Sequence, residues 1–203
     1  MRIANSLKYD GWGNTLRNAL TVFKKKLFYR SHTVLLEVEM TEVLNLGLSS
    51  GGCGSDVDFV RVDKVVGKNL LNLNAKRVNA WLEDGANLYL AVLNGKPVGY
   101  TVVHLKKYFV DGVGLIDLEG DGSLWIGPTF VDKSFRSQGI NKKLINSAIK
   151  YYAKERERAL TSANINNVNS ISSFIRNGFR IKDVFICTYN LGRQKLVRLV
   201  GDE

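Results

Sequence analysis

Apolar and polar positions follow two different periods along this chain. From Asn14 to Phe28, Leu16, Leu20, Phe23 and Leu27 fall on one side of a helix, while Lys24, Lys25 and Lys26 take up much of the other. The spacing predicts an amphipathic helix with a basic face. It either packs on a core with its lysines in water or docks against an acidic protein or an anionic membrane surface. Thr33–Met40 is alternating and β-branched, as a strand requires. Gly47–Ser55 is a loop by composition, a connector or a set of backbone amides for an anion. Asp58–Val62 reads as a short strand. Lys64–Glu83 returns to helical spacing through Val66, Leu70, Leu71, Val78, Trp81 and Leu82, as one or two helices closed by Asp84-Gly85.

The second half is more sharply punctuated. Leu88–Leu93 and Val98–Leu105 flank Asn94-Gly95-Lys96-Pro97 and predict a hairpin. Leu124–Val131 is a strand, and Ile140–Ala153 is a helix with Ile140, Leu144, Ala148 and Tyr152 in phase. A strand at Leu160–Ile165, a helix at Val168–Arg176 and strands at Arg180–Asn190 and Lys195–Val200 complete the chain. This order predicts a single α/β (α+β) domain, a mixed central sheet flanked by helices, at residues 32–203 behind a basic helical segment at 1–31.

Composition narrows the class. With 45% hydrophobic and 24% charged residues, the 203-residue chain can bury a core without disulfide or metal staples. No run reaches the roughly 18 apolar residues of a membrane span, and the start lacks a secretory apolar region. Cys53 and Cys187 are too few for a disulfide framework or a zinc cluster, so a reducing, cytoplasmic compartment and no metal are expected. The net charge is +10, and residues 1–30 hold seven basic residues against Asp10 alone, which places six of the ten excess charges there. The remainder shows no basic stripe interleaved with aromatics, so nucleic acid is not the expected partner.

Candidate chemistry concentrates at the junction from Trp125 to Asn141. A strand ends, a short polar turn follows, and a helix opens near Gly139. A helix start leaves backbone N–H groups unpaired and carries partial positive charge, and a glycine lets a phosphate approach them. Arg136, Lys142 and Lys143 add charge of the right sign. A second segment, Asn167 to Phe179, reads as a short helix with Val168, Ile171 and Phe174 on its buried face, stopped by Gly178 and followed by a strand.

Taken together, the two segments resemble the GNAT superfamily of N-acetyltransferases. Arg136, Gly139 and Asn141 after Val131 match its R/Q-x-x-G-x-G/A turn; Asn167, Ser170, Ile171, Phe174, Gly178 and Phe179 match its second signature. The resemblance spans about residues 85–190. It implies a splayed strand pair in the sheet, and acetyl-CoA or a longer acyl-CoA as co-substrate. The pyrophosphate would rest on the amides of Ser137, Gln138, Gly139, Ile140 and Asn141. The pantetheine arm would run along the strand edge at Thr129 and Val131, touched by Asn167 and Phe174. The thioester would lie near Pro128–Phe130, with the Phe130 backbone amide as oxyanion donor. A small-molecule primary amine, such as that of an amino sugar, would attack directly, without an enzyme nucleophile.

Several positions depart from the pattern or leave a role open. Ser137 and Asn141 stand where the turn usually has small glycines. Phe174 stands where the family often has a tyrosine that protonates the leaving thiolate, and a phenyl ring cannot donate a proton. Candidates for the base are His104 and Glu119, with Asp117 and Asp121 beside the latter; Glu37 and Glu39 share one strand face that could hold a cationic acceptor. Tyr151, Tyr152 and the tryptophans read as packing, and Cys187 as buried and inert. Two further readings stay open. One is a long-chain N-acyl amino acid synthase fed by acyl carrier protein, whose acidic surface would suit Arg17–Arg30. The other is a non-catalytic acyl-CoA-binding relative. Assembly is open between monomer and homodimer.

Overall fold

The structure, a computed structural model, describes residues 28–46, 57–65, 69–190 and 193–200. The predicted basic helix, apart from Phe28, and the Gly47–Ser55 loop lie outside these residues. Strand β1 (Phe28–Glu39) leads into helix α1 (Met40–Leu46) and strand β2 (Val57–Val62). Two-residue strands β3 (Asn69–Leu70) and β4 (Leu73–Asn74) precede α2 (Ala75–Glu83). The hairpin β5 (Asn87–Leu93)/β6 (Lys96–His104) and a smaller one, β7 (Lys107–Val110)/β8 (Gly114–Asp117), follow. Then come β9 (Ser123–Val131), a 3₁₀ turn (Lys133–Phe135), α3 (Ile140–Tyr152), β10 (Arg158–Asn164), α4 (Val168–Ile175), β11 (Arg180–Asn190) and β12 (Arg193–Val200).

Eight strands form one mixed sheet in the order β12-β11-β1-β10-β9-β6-β5-β2. Its parallel contact is β9 with β10, and α3 is the crossover between them. The amphipathic stripe predicted for α3 is realised: Ile140, Leu144, Ile145, Ala148 and Ile149 are buried against Val98, Val103, Leu124 and Ile126. Val78 of α2 joins Leu88, Tyr100 and Val102 in a second cluster. The first described strand, β1, is not at an edge. It lies between β10 and β11, antiparallel to both.

Four differences from the sequence reading have physical causes. First, β1 opens at Phe28, paired with Asn190, so a domain boundary at residues 31/32 would cut a strand. Second, among the described residues of Lys64–Glu83 the helix begins at Ala75. Asn74 caps that helix by accepting from the Arg77 N–H, and Leu71 at φ 50° turns the chain between β3 and β4. The apolar spacing was therefore shared between a turn and a helix. Third, Met40 opens α1 rather than closing the strand. Fourth, the stretch between Leu105 and Leu124, to which the sequence reading assigned no element, contains the β7/β8 hairpin, whose signals were the alternation in Lys107–Val110 and the Asp111-Gly112 step. Gly112 has φ +80°, and a Cβ there would meet the Cβ of buried Cys187 at 2.9 Å. No described helix is long and apolar enough to cross a membrane.

Candidate active site

The site begins with how β9 is paired. Strand β10 lies beside it for only three registered positions, Arg158↔Ser123 to Leu160↔Trp125. Beyond these the two strands part. Opposite this point the β6–β9 register slips between Thr101 and Val103, at Gly127-Pro128. Gly127 has φ +138°, and Pro128 brings no N–H to a ladder. A bulge of this kind bends a strand and ends its pairing. The Ile126 carbonyl, which would otherwise lose its partner, accepts from Thr161 Oγ1 at 2.7 Å.

A cavity of about 270 Å³ opens where the strands separate. Gly127, Pro128 and Thr129 form one side and Thr161 and Ser162 of β10 the other. Asn141 and Ser170 come from the helix starts, Phe174 from the last turn of α4, and Tyr108 and Trp125 also line it. The register decides which β9 amides face this gap. The Asp132 N–H donates to the Val98 carbonyl at 2.9 Å, and Tyr100 pairs with Phe130 two positions on. In an antiparallel ladder hydrogen-bonded and non-hydrogen-bonded pairs alternate. Phe130 therefore turns its N–H to β6, whereas Thr129 and Val131 turn theirs outward. Two contacts agree: a Cβ on Gly99 of β6 would lie 2.9 Å from the Phe130 carbonyl, and the outward Val131 carbonyl accepts from Arg136 Nε at 3.1 Å. The Phe130 amide, expected as oxyanion donor, thus faces β6. The amides offered to the gap flank it.

The turn after β9 is held from inside. Asp132 Oδ1 accepts from the Ser134 N–H at 2.9 Å, and Arg136 is tied back to Val131 beside the Phe130 ring. Ser137 sits at φ 64° and Gly139 at φ 75°, which accounts for glycine being usual at such positions. Ser137, Gln138 and Gly139 are exposed, and no side chain caps α3. Its first backbone bond runs from the Lys143 N–H to the Gly139 carbonyl, so the amides of Ile140, Asn141 and Lys142 precede the helical ladder. Asn141 Nδ2 donates to Ser173 Oγ at 2.7 Å, fastening this helix start to α4. Asn167 uses its side-chain oxygen to cap α4 at the Ser170 N–H. Buried Phe174 lines the cavity with its edge against Phe179, 5.1 Å between centroids.

The candidate bases are not brought there. Glu119 is exposed in the tight turn before Ser123, at the opposite end of β9 from the gap, roughly 20 Å away at strand rise. Asp117 accepts from the Glu119 N–H, and Asp121 pairs with Arg158 at 2.5 Å. Glu37 pairs with Lys182 at 2.6 Å, and Arg180 lies between Glu37 and Glu39. All of these serve the closed end of the sheet. His104 is buried between Trp81 and Tyr108, one ring removed from the cavity, and hydrogen-bonds to the Gly127 backbone. Its Nε2 meets no partner, and burial lowers its pKa from 6.5 to about 4, so it is neutral at pH 7. The residues missed by sequence reasoning are Tyr108, Thr161 and Ser162. Their signal would have been the β7 alternation and the position of β10 beside a broken ladder.

An open strand edge therefore runs into an uncapped helix start. A family model described as the acetyltransferase (GNAT) family matches residues 66–179, more than half of the chain. The chain belongs to this family. Solved structures agree on the fold. A tandem GNAT protein from the clavulanic acid biosynthesis pathway is 15% identical with TM-score 0.56, over 85% of this chain and 55% of that one. A functionally unknown conserved protein from Staphylococcus epidermidis is 16% identical with TM-score 0.52, over 83% of this chain and 63% of its own. The chain thus spans less than two thirds of either protein. Among curated proteins, none matches it.

Proposed function

We propose that this protein is an N-acetyltransferase that moves the acetyl group of acetyl-CoA to a primary amine of a small molecule in the cytoplasm. The observation that carries this reading is the pair of outward amides, Thr129 and Val131, aimed along an open edge toward the bare start of α3. A pantetheine arm has the amide spacing to pair with such an edge as an added strand. The diphosphate would end on the amides of Ser137–Asn141, with Arg136 beside it. The thioester oxygen would meet the Thr129 N–H, preorganised to stabilise the oxyanion that forms on attack. Among the described residues, the cavity lining carries hydroxyls and amides but no carboxylate. The attacking amine would therefore release its proton to water.

The test is binding of coenzyme A to the wild type and to Gly139→Asp, whose carboxylate would stand at the diphosphate. Tight binding to the first and weak binding to the second support the site; equal binding to both refutes it. Acyl carrier protein remains a second donor because six excess positive charges lie within residues 1–30. Reversing Lys24, Lys25 and Lys26 to Glu should then slow transfer from carrier protein and leave transfer from acyl-CoA alone.

A further inference from the structure

The cavity lacks an evident acid for the departing thiolate where Phe174 stands, yet one wall carries a phenol. Strand β7 alternates, so Phe109 is 66% exposed while its neighbour Tyr108 turns inward. The Tyr108 ring stacks on Trp125, 4.4 Å between centroids at 15°, and leans on His104 at 4.7 Å. These two contacts fix its plane. Tyr108 lines the same cavity as Gly127, Pro128, Thr129 and Phe174. The other hydroxyls there differ in two ways. Thr129 Oγ1 is bonded to Thr101 Oγ1 at 2.7 Å, and Thr161 Oγ1 donates to Ile126. Aliphatic hydroxyls, including those of Ser162 and Ser170, are also far weaker acids than a phenol. A phenol of reference pKa about 10 is close to a thiol of about 8.5.

We propose that Tyr108 donates its proton to the coenzyme A sulfur as the C–S bond breaks, supplying from β7 the acid that α4 lacks. The proposal rests on the acetyl-transfer reading above. The amine forms the C–N bond, the oxyanion collapses, and the C–S bond breaks with its electron pair on sulfur. Sulfur takes the Tyr108 proton, and the tyrosinate recovers one from the water that deprotonated the amine. Burial raises the Tyr108 pKa, opposed by Arg77 and a hydrogen bond with Trp125, so the phenol is protonated at neutral pH; the same burial disfavours a thiolate in the cavity, which raises its affinity for the proton as well.

The experiment needs no acceptor. Thiolate absorbance of coenzyme A bound to the protein is titrated as the difference from the desulfo-coenzyme A complex, in wild type, Tyr108→Phe and the double variant Tyr108→Phe/Phe174→Tyr. The ring of Tyr108→Phe keeps the stack on Trp125, so only the hydroxyl is removed. One hydrogen bond to an anion predicts about tenfold less bound thiolate at a given pH in Tyr108→Phe. Affinity for desulfo-coenzyme A should stay within about twofold, and the double variant should recover thiolate. A thiol that titrates identically in wild type and Tyr108→Phe overturns the role of Tyr108. Failure of the wild type to bind coenzyme A at all overturns the acetyl-transfer reading itself, a different and separately visible result.

Discussion

The two ends of β9 are built to opposite ends of one physical choice. Over Ser123–Trp125 the strand is paired with β10, and at Trp125 with β6 as well; its residues are buried, and charged groups staple the rim: Arg158 to Asp121, and Arg156 to the Leu118 and Ser123 carbonyls. At Thr129–Val131 one side is left without a strand, and the carbonyl and amide groups there are met by side chains or left to the cavity. A backbone edge beside a cavity carries unmet hydrogen-bonding capacity, which is costly when dry and useful when a ligand completes it. Glu37, Glu39 and Asp121 sit in ion pairs at the closed end, away from the gap.

Breaking the closed end should have the largest effect. Trp125→Ala removes a side chain 2% exposed and the platform under Tyr108. It should cost about 3–5 kcal/mol, read in urea unfolding. The hinge between the ends is tested by pH. The folded pKa of His104 is depressed from 6.5 to about 4. Its unfolded form therefore binds the proton first, and stability present above pH 6.5 is lost as pH falls toward 4. At about 1.4 kcal/mol per unit the loss approaches 3 kcal/mol. His104→Gln should show a flatter profile across that window, and an unchanged slope would reject the buried neutral imidazole. At the open end, Gly139→Asp should weaken coenzyme A binding by about 10- to 100-fold in calorimetry, from charge-assisted bonds worth roughly 1.5–3 kcal/mol. The smallest effect belongs to Arg158→Ala. This partly exposed pair with Asp121 should shift stability by under about 1 kcal/mol, and less in high salt.

The sheet, its hairpin and α3 were legible in the sequence because their periods are unambiguous and Asn94-Gly95 and Gly139 mark their limits. The turn from Arg136 to Asn141 was legible for the same reason: its chemistry is local. Which β9 amides face the gap was not, since the direction of an amide depends on the ladder partner and on a one-residue bulge that only Val98–Thr101 reveals. The placement of Glu119, Glu37 and Glu39 depends on ion pairs and turns that sequence spacing does not encode. Tyr108 was hidden by its hairpin, a short element between two longer ones. Its wall of the cavity forms only when β7 folds over Trp125. The position of β1 between β10 and β11 is likewise a long-range pairing, invisible to periodicity.

The central claim concerns which amides of β9 await a ligand, and hydrogen exchange reads them directly. In the protein alone, the Phe130 N–H should exchange slowly, while those of Thr129 and Val131 exchange faster. Addition of acetyl-CoA should slow exchange at Thr129, Val131 and Ser137–Asn141 and leave Phe130 nearly unchanged. Slowing at Phe130 with Thr129 and Val131 unaffected, or no change at any of these positions, would contradict the account.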